Sequence, residues 1–322
     1  MFLESATKNK LTAEQLDLIV AGAFGDHVKV KACRELTGGY FNAAYEVLLS
    51  DEKELVLKVG PLQDTDTLSY ERNIMSAEVS ALQLIRSKGT VPVPKVLFYD
   101  DSRSKIAGEY FFMEKVHGEP YSDIKDGLQP DQRAAVETEL GRYNRMINEI
   151  RGERFGLYST LPRSGGRSWR ETFQEIIGDL LNDARRLGAV MPVPLERIEE
   201  EVAKLLPALE EVTEPRLVHW DLWDGNVFVK GGKIVALIDW ERALWGDPLM
   251  EYYFRYIEDT QHFLRGYHGV FDSPNERARI RLYDLYIDLI YFIECYSRKY
   301  DSAGHFEWAH DNLLAGWERF LK

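Results

Sequence analysis

Between Leu217 and Pro248 the chain reads LVHWDLWDGNVFVKGGKIVALIDWERALWGDP, and this mostly apolar run contains His219, Asp221, Asp224, Asn226, Asp239 and Glu241. Burying carboxylates and an amide is costly unless they bind something. NVFVK and KIVALID flank Gly231-Gly232, a composition that favours a tight primed turn and therefore a β-hairpin. In that hairpin Val229 faces Ile234, Val227 faces Ala236 and Asn226 faces Leu237. Because side chains alternate, Asp239 shares a face with Leu237 and hence with Asn226. The two are then diagonal neighbours, with backbones roughly 7–8 Å apart. An amide oxygen and a carboxylate at the open end of a hairpin make a hard-oxygen cation site. Magnesium suits it, since that ion takes one or two carboxylates and fills its shell with water and phosphate oxygens. Asp221 precedes Asn226 by five residues, across the Asp224-Gly225 turn, and hangs over this site. A carboxylate beside a magnesium phosphate can orient a hydroxyl and accept its proton. Capping a turn is the competing role, and it is the one expected for Asp224.

The rest of the chain must position these groups. At 322 residues with 45% hydrophobic content, it is long enough for two lobes around a large core. Two cysteines, Cys33 and Cys295, exclude a disulfide scaffold and fit a reducing, cytoplasmic setting. The N-terminus MFLESATKNK has no apolar signal core, and no run approaches a membrane span. A net charge of −13 disfavours nucleic acid or an anionic membrane as partner, though it is also ordinary for an acidic soluble protein.

LTAEQLDLIVAGAF reads as a helix with Thr12 as N-cap and Gln15 completing a capping box. From Arg34 the pattern alternates. YEVLL and ELVLKV form an antiparallel hairpin across SDEK, and a helix over Tyr70–Lys88 ends at Gly89. VPVPKVLFYD and GEYFFMEKVHG supply further strands. Beyond them helices are expected over Gln132–Glu149, Thr172–Arg186 and Leu195–Leu209, with three more after Asp247. The fold class is α+β.

HWDLWDGN followed thirteen residues on by IDWE resembles the signature of the aminoglycoside phosphotransferase and choline kinase-like superfamily. That resemblance implies a two-lobed protein kinase-like fold with a small antiparallel β lobe and a larger, mainly helical lobe. It implies a nucleotide-binding lobe over 1–113, a hinge over 114–118 and a catalytic and acceptor-binding lobe over 119–322. It also implies that Asp221 is the catalytic base, that Asn226 and Asp239 hold magnesium, and that His219 braces the loop. Two departures stand out. Trp220 replaces the family's usual glycine, and Glu251 replaces an aspartate often seen after the Asp247 helix cap.

A kinase also needs a loop over the phosphates, a lysine, and a carboxylate that holds the lysine. LTGGYFNAAYEV resembles the family's short glycine loop, which would place Gly38, Gly39 and Asn42 against the nucleotide. With Leu49 facing Glu54, Lys58 falls opposite Tyr45, just beyond that loop. Met75, Glu78, Leu82 and Ile85 share one helix face, so Glu78 sits in an apolar stripe and needs a partner. Lys58 is the expected one, with Glu71 as the fallback for Glu78. FFMEKVHG resembles the hinge, with Met113 behind the adenine and the Glu114 carbonyl and Val116 amide on its edge.

The reading is an ATP- and magnesium-dependent kinase of a small-molecule hydroxyl. The short stretch from Asp239 to Pro248 leaves no room for a protein kinase's activation segment. Glu241, Asp284, Asp288 and Glu294 are candidates to meet a cationic amine, although a solvated acidic face explains the helical ones equally well. Aminoglycosides, choline-type amines, amino-acid alcohols, glycated amines and macrolides all remain open as acceptors. A nucleotide-binding pseudokinase is one alternative. A non-haem iron site on His219 and Asp221 is another, and it would need His262, His268 or His305.

Overall fold

Alternation along the first strands builds a five-stranded antiparallel sheet in the order β1-β2-β3-β5-β4, from β1 (Val30–Leu36), β2 (Ala43–Leu49), β3 (Glu54–Val59), β4 (Val96–Asp100) and β5 (Tyr110–Glu114). Our computed structural model describes residues 5, 7–37, 41–159, 166, 168–255, 261–300 and 302–322. Leu55, Leu57 and Val59 pack with helix α1 (Ala13–Phe24), whose Leu16, Ile19 and Val20 are buried. Both halves of the Thr12–Gln15 capping box are formed. The alternate residues of β3 point the other way, toward helix α2 (Ile74–Lys88). The expected helix from Tyr70 is interrupted: Ser69–Glu71 is a 3₁₀ turn and Asn73 adopts a left-handed conformation before α2 begins.

The β2–β3 hairpin pairs one residue differently from expectation. Leu48 faces Glu54 and Ala44 faces Lys58, because Glu52 takes φ 65° and leaves a three-residue loop.

After β5 the chain runs through β6 (Glu119–Pro120), α3 (Tyr121–Ile124), α4 (Pro130–Asn148), β7 (Gly156–Leu157), α5 (Trp169–Leu187) and α6 (Leu195–Leu205). A 3₁₀ segment, Leu206–Glu211, finishes the region expected to continue α6. Then come β8 (Arg216–Val218), β9 (Val227–Lys230), β10 (Lys233–Leu237) and β11 (Leu244–Gly246). Helices α7 (Gln261–Tyr267), α8 (Pro274–Arg298) and α9 (Ala303–Phe320) follow. The β9–β10 hairpin is not an isolated ribbon. β6 from the connector adds to β9, and β7, β11 and β8 form a third small sheet beside it. Helix α2 packs against the turn at Trp240–Arg242, so segments of both lobes converge on the stretch between His219 and Glu251. Among the described residues no helix is long and apolar enough to cross a membrane.

Candidate active site

The β9–β10 turn is as expected, with Gly231 and Gly232 at φ 58° and 76° and Val229 facing Ile234. Beyond it the register differs. Phe228 faces Ala236 and Val227 faces Leu237, because the ladder bulges between Ile234 and Ala236. Asn226 therefore meets Ile238, whose N–H donates to the Asn226 carbonyl at 3.0 Å, and simple alternation does not explain how Asp239 is aimed. Asp239 instead takes φ 65°, a left-handed turn that redirects its side chain as the strand ends.

That carboxylate accepts from Lys58 Nζ at 2.6 Å. The same ammonium donates to Glu78 at 2.7 and 2.8 Å, which makes Glu78 its partner. Glu71, the fallback, is engaged elsewhere and accepts from Arg298 at 2.6 Å. Glu241 comes to the same place: one oxygen of each of Glu78, Asp239 and Glu241 lies within 4.8 Å of the others. It accepts from Asn42 Nδ2 at 2.7 Å, while the buried Asn42 Oδ1 has no hydrogen-bond partner. Glu241 is thus at the lysine, not among the helical carboxylates it was grouped with.

Burial disfavours the Lys58 ammonium, but Asp239, Glu78 and Glu241 outweigh it and its pKa rises. Burial also raises Glu78 and Glu241, whereas for Asp239 the nearby Lys58 charge wins and the pKa falls. Three carboxylates gather around one ammonium, and with burial raising Glu78 to about 7 and Glu241 to about 8 a bound cation would take the place of their protons. Hard oxygen donors of this kind suit a divalent ion such as magnesium. Asn226 fits too, since its amide nitrogen is given to Asp221, at 2.8 Å to the carbonyl and 3.3 Å to the carboxylate, which turns its oxygen the other way.

Asp221 lies on the loop between β8 and β9, and its carboxylate is 3.8 Å from Arg242. Burial, with Asp239 and Glu294 adding to it, pushes its pKa up to about 6 against the pull of Arg242. The loop is held from three sides. Glu251 is buried and accepts from the backbone N–H groups of His219 at 2.9 Å and Trp220 at 3.0 Å, and from Asn148 at 2.9 Å. His219 is fully buried, and its Nε2 lies 3.0 Å from the Ile238 carbonyl. Since a carbonyl only accepts, Nε2 carries the hydrogen. Burial drives the ring's pKa down to about 4, so it is neutral. Asp224 accepts from Lys125 at 2.6 Å and from Tyr253, a structural role at the turn. Glu251 was noticed in the sequence only as a substitution, and nothing in local periodicity reveals that it anchors the loop.

Trp220 occupies φ 67°, the left-handed region that favours the glycine usual at that position. Its ring stacks on Tyr286 with centroids 5.4 Å apart and planes 9° from parallel, and lies edge-on to Tyr70 at 6.0 Å.

The helical carboxylates proposed for a cationic acceptor already hold arginines. Arg255 pairs with Asp284 at 3.2 Å and with Asp288 at 2.9 Å. Glu294 pairs with Arg298 at 3.1 Å. At the connector, Met113 is buried at the end of β5, with Glu114 exposed and Val116 half-buried beyond it. Gly38 and Gly39 lie outside the described residues. Among the described residues the metal-capable cluster is all carboxylate, and His219 is committed to Ile238, which leaves the iron reading without a ligand set.

Residues 32–283 match the sequence model of the phosphotransferase enzyme family. Over 169 residues, 50% of this chain, the sequence is 27% identical to acyl-CoA dehydrogenase family member 11 of Homo sapiens, covering 20% of that protein. Over 112 residues, 30% of this chain, it is 33% identical to hygromycin-B 4-O-kinase of Escherichia coli, covering 33% of it. The chain thus spans a fifth to a third of the length of these curated relatives. Its fold is similar to that of a thermostable mutant of aminoglycoside phosphotransferase APH(4)-Ia in ternary complex with AMP-PNP and hygromycin B. That likeness has a TM-score of 0.64 at 20% identity, over 95% of this chain and 98% of the other. With 32–283 covered by the family's sequence pattern and the small sheet and helical lobe arranged as in its structures, the chain belongs to the phosphotransferase enzyme family, on the protein kinase-like fold of small-molecule kinases.

Proposed function

We propose that this chain is an ATP- and magnesium-dependent kinase that transfers a γ-phosphoryl group to a hydroxyl of a small molecule. The observation that carries the reading is the meeting, at one place between the sheet and the helices, of the Lys58–Glu78 pair with Asp239, while Asp221 and Asn226 hydrogen-bond beside them. Magnesium, when bound, would be held by Asn226 and Asp239, with Glu241 in reach, and would neutralise phosphate charge. Lys58 would hold the α- and β-phosphates, with Glu78 fixing its position. Gly38, Gly39 and Asn42 would cover the phosphates, and Met113, Glu114 and Val116 would take the adenine. Asp221 would orient the acceptor and take its proton as the new O–P bond forms. The bond from the γ-phosphorus to its bridging oxygen breaks and ADP leaves. The transition state is loose, so position and charge contribute more than base strength.

The test is ADP release from the full chain with ATP, magnesium and a panel of hydroxyl compounds. Asp221→Asn should lower acceptor-stimulated turnover by about 10² or more, the scale of general-base loss, with AMP-PNP affinity nearly unchanged. Asp239→Ala should weaken magnesium-dependent AMP-PNP binding as well. Nucleotide binding without turnover on any acceptor would favour a pseudokinase, and absence of nucleotide binding would sink both readings.

A further inference from the structure

Beside Asp221 a shallow cleft opens between the catalytic loop and α8, with Trp220, Leu249, Met250, Tyr252, Tyr283, Ile287 and Tyr291 in its walls and Arg255 and Asp284 as polar lining. On the kinase reading above, this is where the acceptor would lie. What decides its class is how the surrounding charges are already spent.

A site for a polycation needs carboxylates that the ligand's amines can reach. Here Asp284 is 3.2 Å and Asp288 2.9 Å from Arg255, and Asp288 is also 3.5 Å from Arg319 and accepts from Asn312 at 2.9 Å. Asp288 is fully buried and closed off from behind by α9, where a Cβ on Gly316 would come within 2.1 Å of its Oδ2. Deeper in, Glu294 belongs to Arg298, with Arg242 at 3.8 Å. Each of these carboxylates of α8 is thus in an ion pair, Asp284 and Asp288 sharing Arg255 with Arg319 also at Asp288, and Glu294 sharing Arg298 with Glu71. An entering ammonium would have to displace an arginine that has nowhere else to go, and breaking a buried pair is strongly unfavourable.

The aromatic walls lead to the same conclusion independently. A ring face can hold a cation, but the Arg242 guanidinium already lies over Trp220 at 5.8 Å and over Tyr70 at 5.6 Å, and Arg255 lies over Tyr291 at 5.9 Å. A ligand cation at Trp220 or Tyr291 would meet a guanidinium already there and like charge adjacent. Apolar surface remains on Leu249, Met250 and Ile287.

We propose that the cleft takes an uncharged hydroxyl compound with an apolar or aromatic body, and that Arg255 determines this by holding both Asp284 and Asp288 in ion pairs. Arg255 is a specificity-determining residue that spans helix α8 and the segment after Glu251. Its substitution should recruit cations.

The experiment compares two probes of one shape, 1,4-benzenedimethanol and 4-(hydroxymethyl)benzylamine, which differ by a single ammonium. Their affinities for the full chain with magnesium and AMP-PNP are measured by calorimetry, alongside kanamycin. The neutral probe should bind at least about tenfold more tightly than the ammonium probe, since facing like charges is costly. Arg255→Met should move that ratio by tenfold or more toward the ammonium probe. Should that variant unfold, Arg255→Met/Asp288→Asn leaves a single freed carboxylate at the cleft and should move the ratio the same way. Tighter binding of the ammonium probe or of kanamycin by the unaltered protein would overturn the proposal. So would binding of neither probe, or a ratio that both variants leave unchanged. AMP-PNP binding in the same titrations reports separately on the kinase reading.

Discussion

Trp220 is a sharp test of what positions the loop between β8 and β9, because two opposed effects act on one residue. Its backbone sits at φ 67°, which for a residue with a Cβ costs about 1–2 kcal/mol. Glycine would remove that strain. Glycine would also lose the buried indole, 4% exposed, stacked on Tyr286 and lying under Arg242. Truncating a buried tryptophan costs about 3–5 kcal/mol, and glycine adds unfolded-chain entropy of about 0.4–1 kcal/mol. Packing therefore wins over strain: Trp220→Gly should be destabilised by roughly 2–4 kcal/mol in urea denaturation. Trp220→Ala keeps the strained backbone without the ring and should be less stable than Trp220→Gly by about 1 kcal/mol. A glycine variant as stable as the parent would show that the indole is a passenger. An alanine variant more stable than the glycine one would show that the left-handed backbone is not carried at a cost.

Two other residues supporting the loop give separable outcomes. Glu251→Gln turns one acceptor into an N–H group that must face a backbone N–H, and should lower stability by about 2–3 kcal/mol. Acceptor-stimulated ADP release should fall while AMP-PNP affinity stays near the parent's, and equal losses in both would point to general unfolding instead. For His219 the folded pKa of about 4 lies below the ordinary 6.5, so below pH 6.5 the unfolded chain binds a proton that the folded chain refuses. Stability is therefore lost as pH falls from 6.5 toward 4, by about 2 kcal/mol at pH 5. Denaturation of His219→Gln at pH 7.5 and pH 5 should lack that component, and parallel pH curves for parent and variant would refute the assignment.

Much of this was legible because it is local or periodic. The Thr12 capping box, the Gly231-Gly232 turn and the apolar stripe that strands Glu78 all follow from spacing of a few residues. The Lys58–Glu78 pair could be anticipated because one buried charge demands another. The register of both hairpins was off by one for a common reason. A single residue in a left-handed conformation, Glu52, or a single bulge, between Ile234 and Ala236, shifts every later pairing without altering the alternation of residue types. Partners far apart in sequence were hidden altogether. Glu251 reaching His219 across 32 positions, and Arg255 reaching Asp288 across 33, are set by how α8 and the loop pack, which no pattern along the chain encodes.

The two halves of the site are built from the same residue types and differ in how their charges close. At Lys58 the carboxylates of Glu78, Asp239 and Glu241 gather on one ammonium, and on the proposed function a divalent ion would join them there. Along the cleft Arg255, Arg298 and Arg242 pair with the carboxylates of α8, and on the proposal above shape and apolar contact would then select the acceptor. Asp221 stands at the boundary, joined to the first half through Asn226 and to the second through Arg242. The net charge of −13 does not by itself name the acceptor, because Asp284, Asp288 and Glu294 beside the cleft are all held in ion pairs.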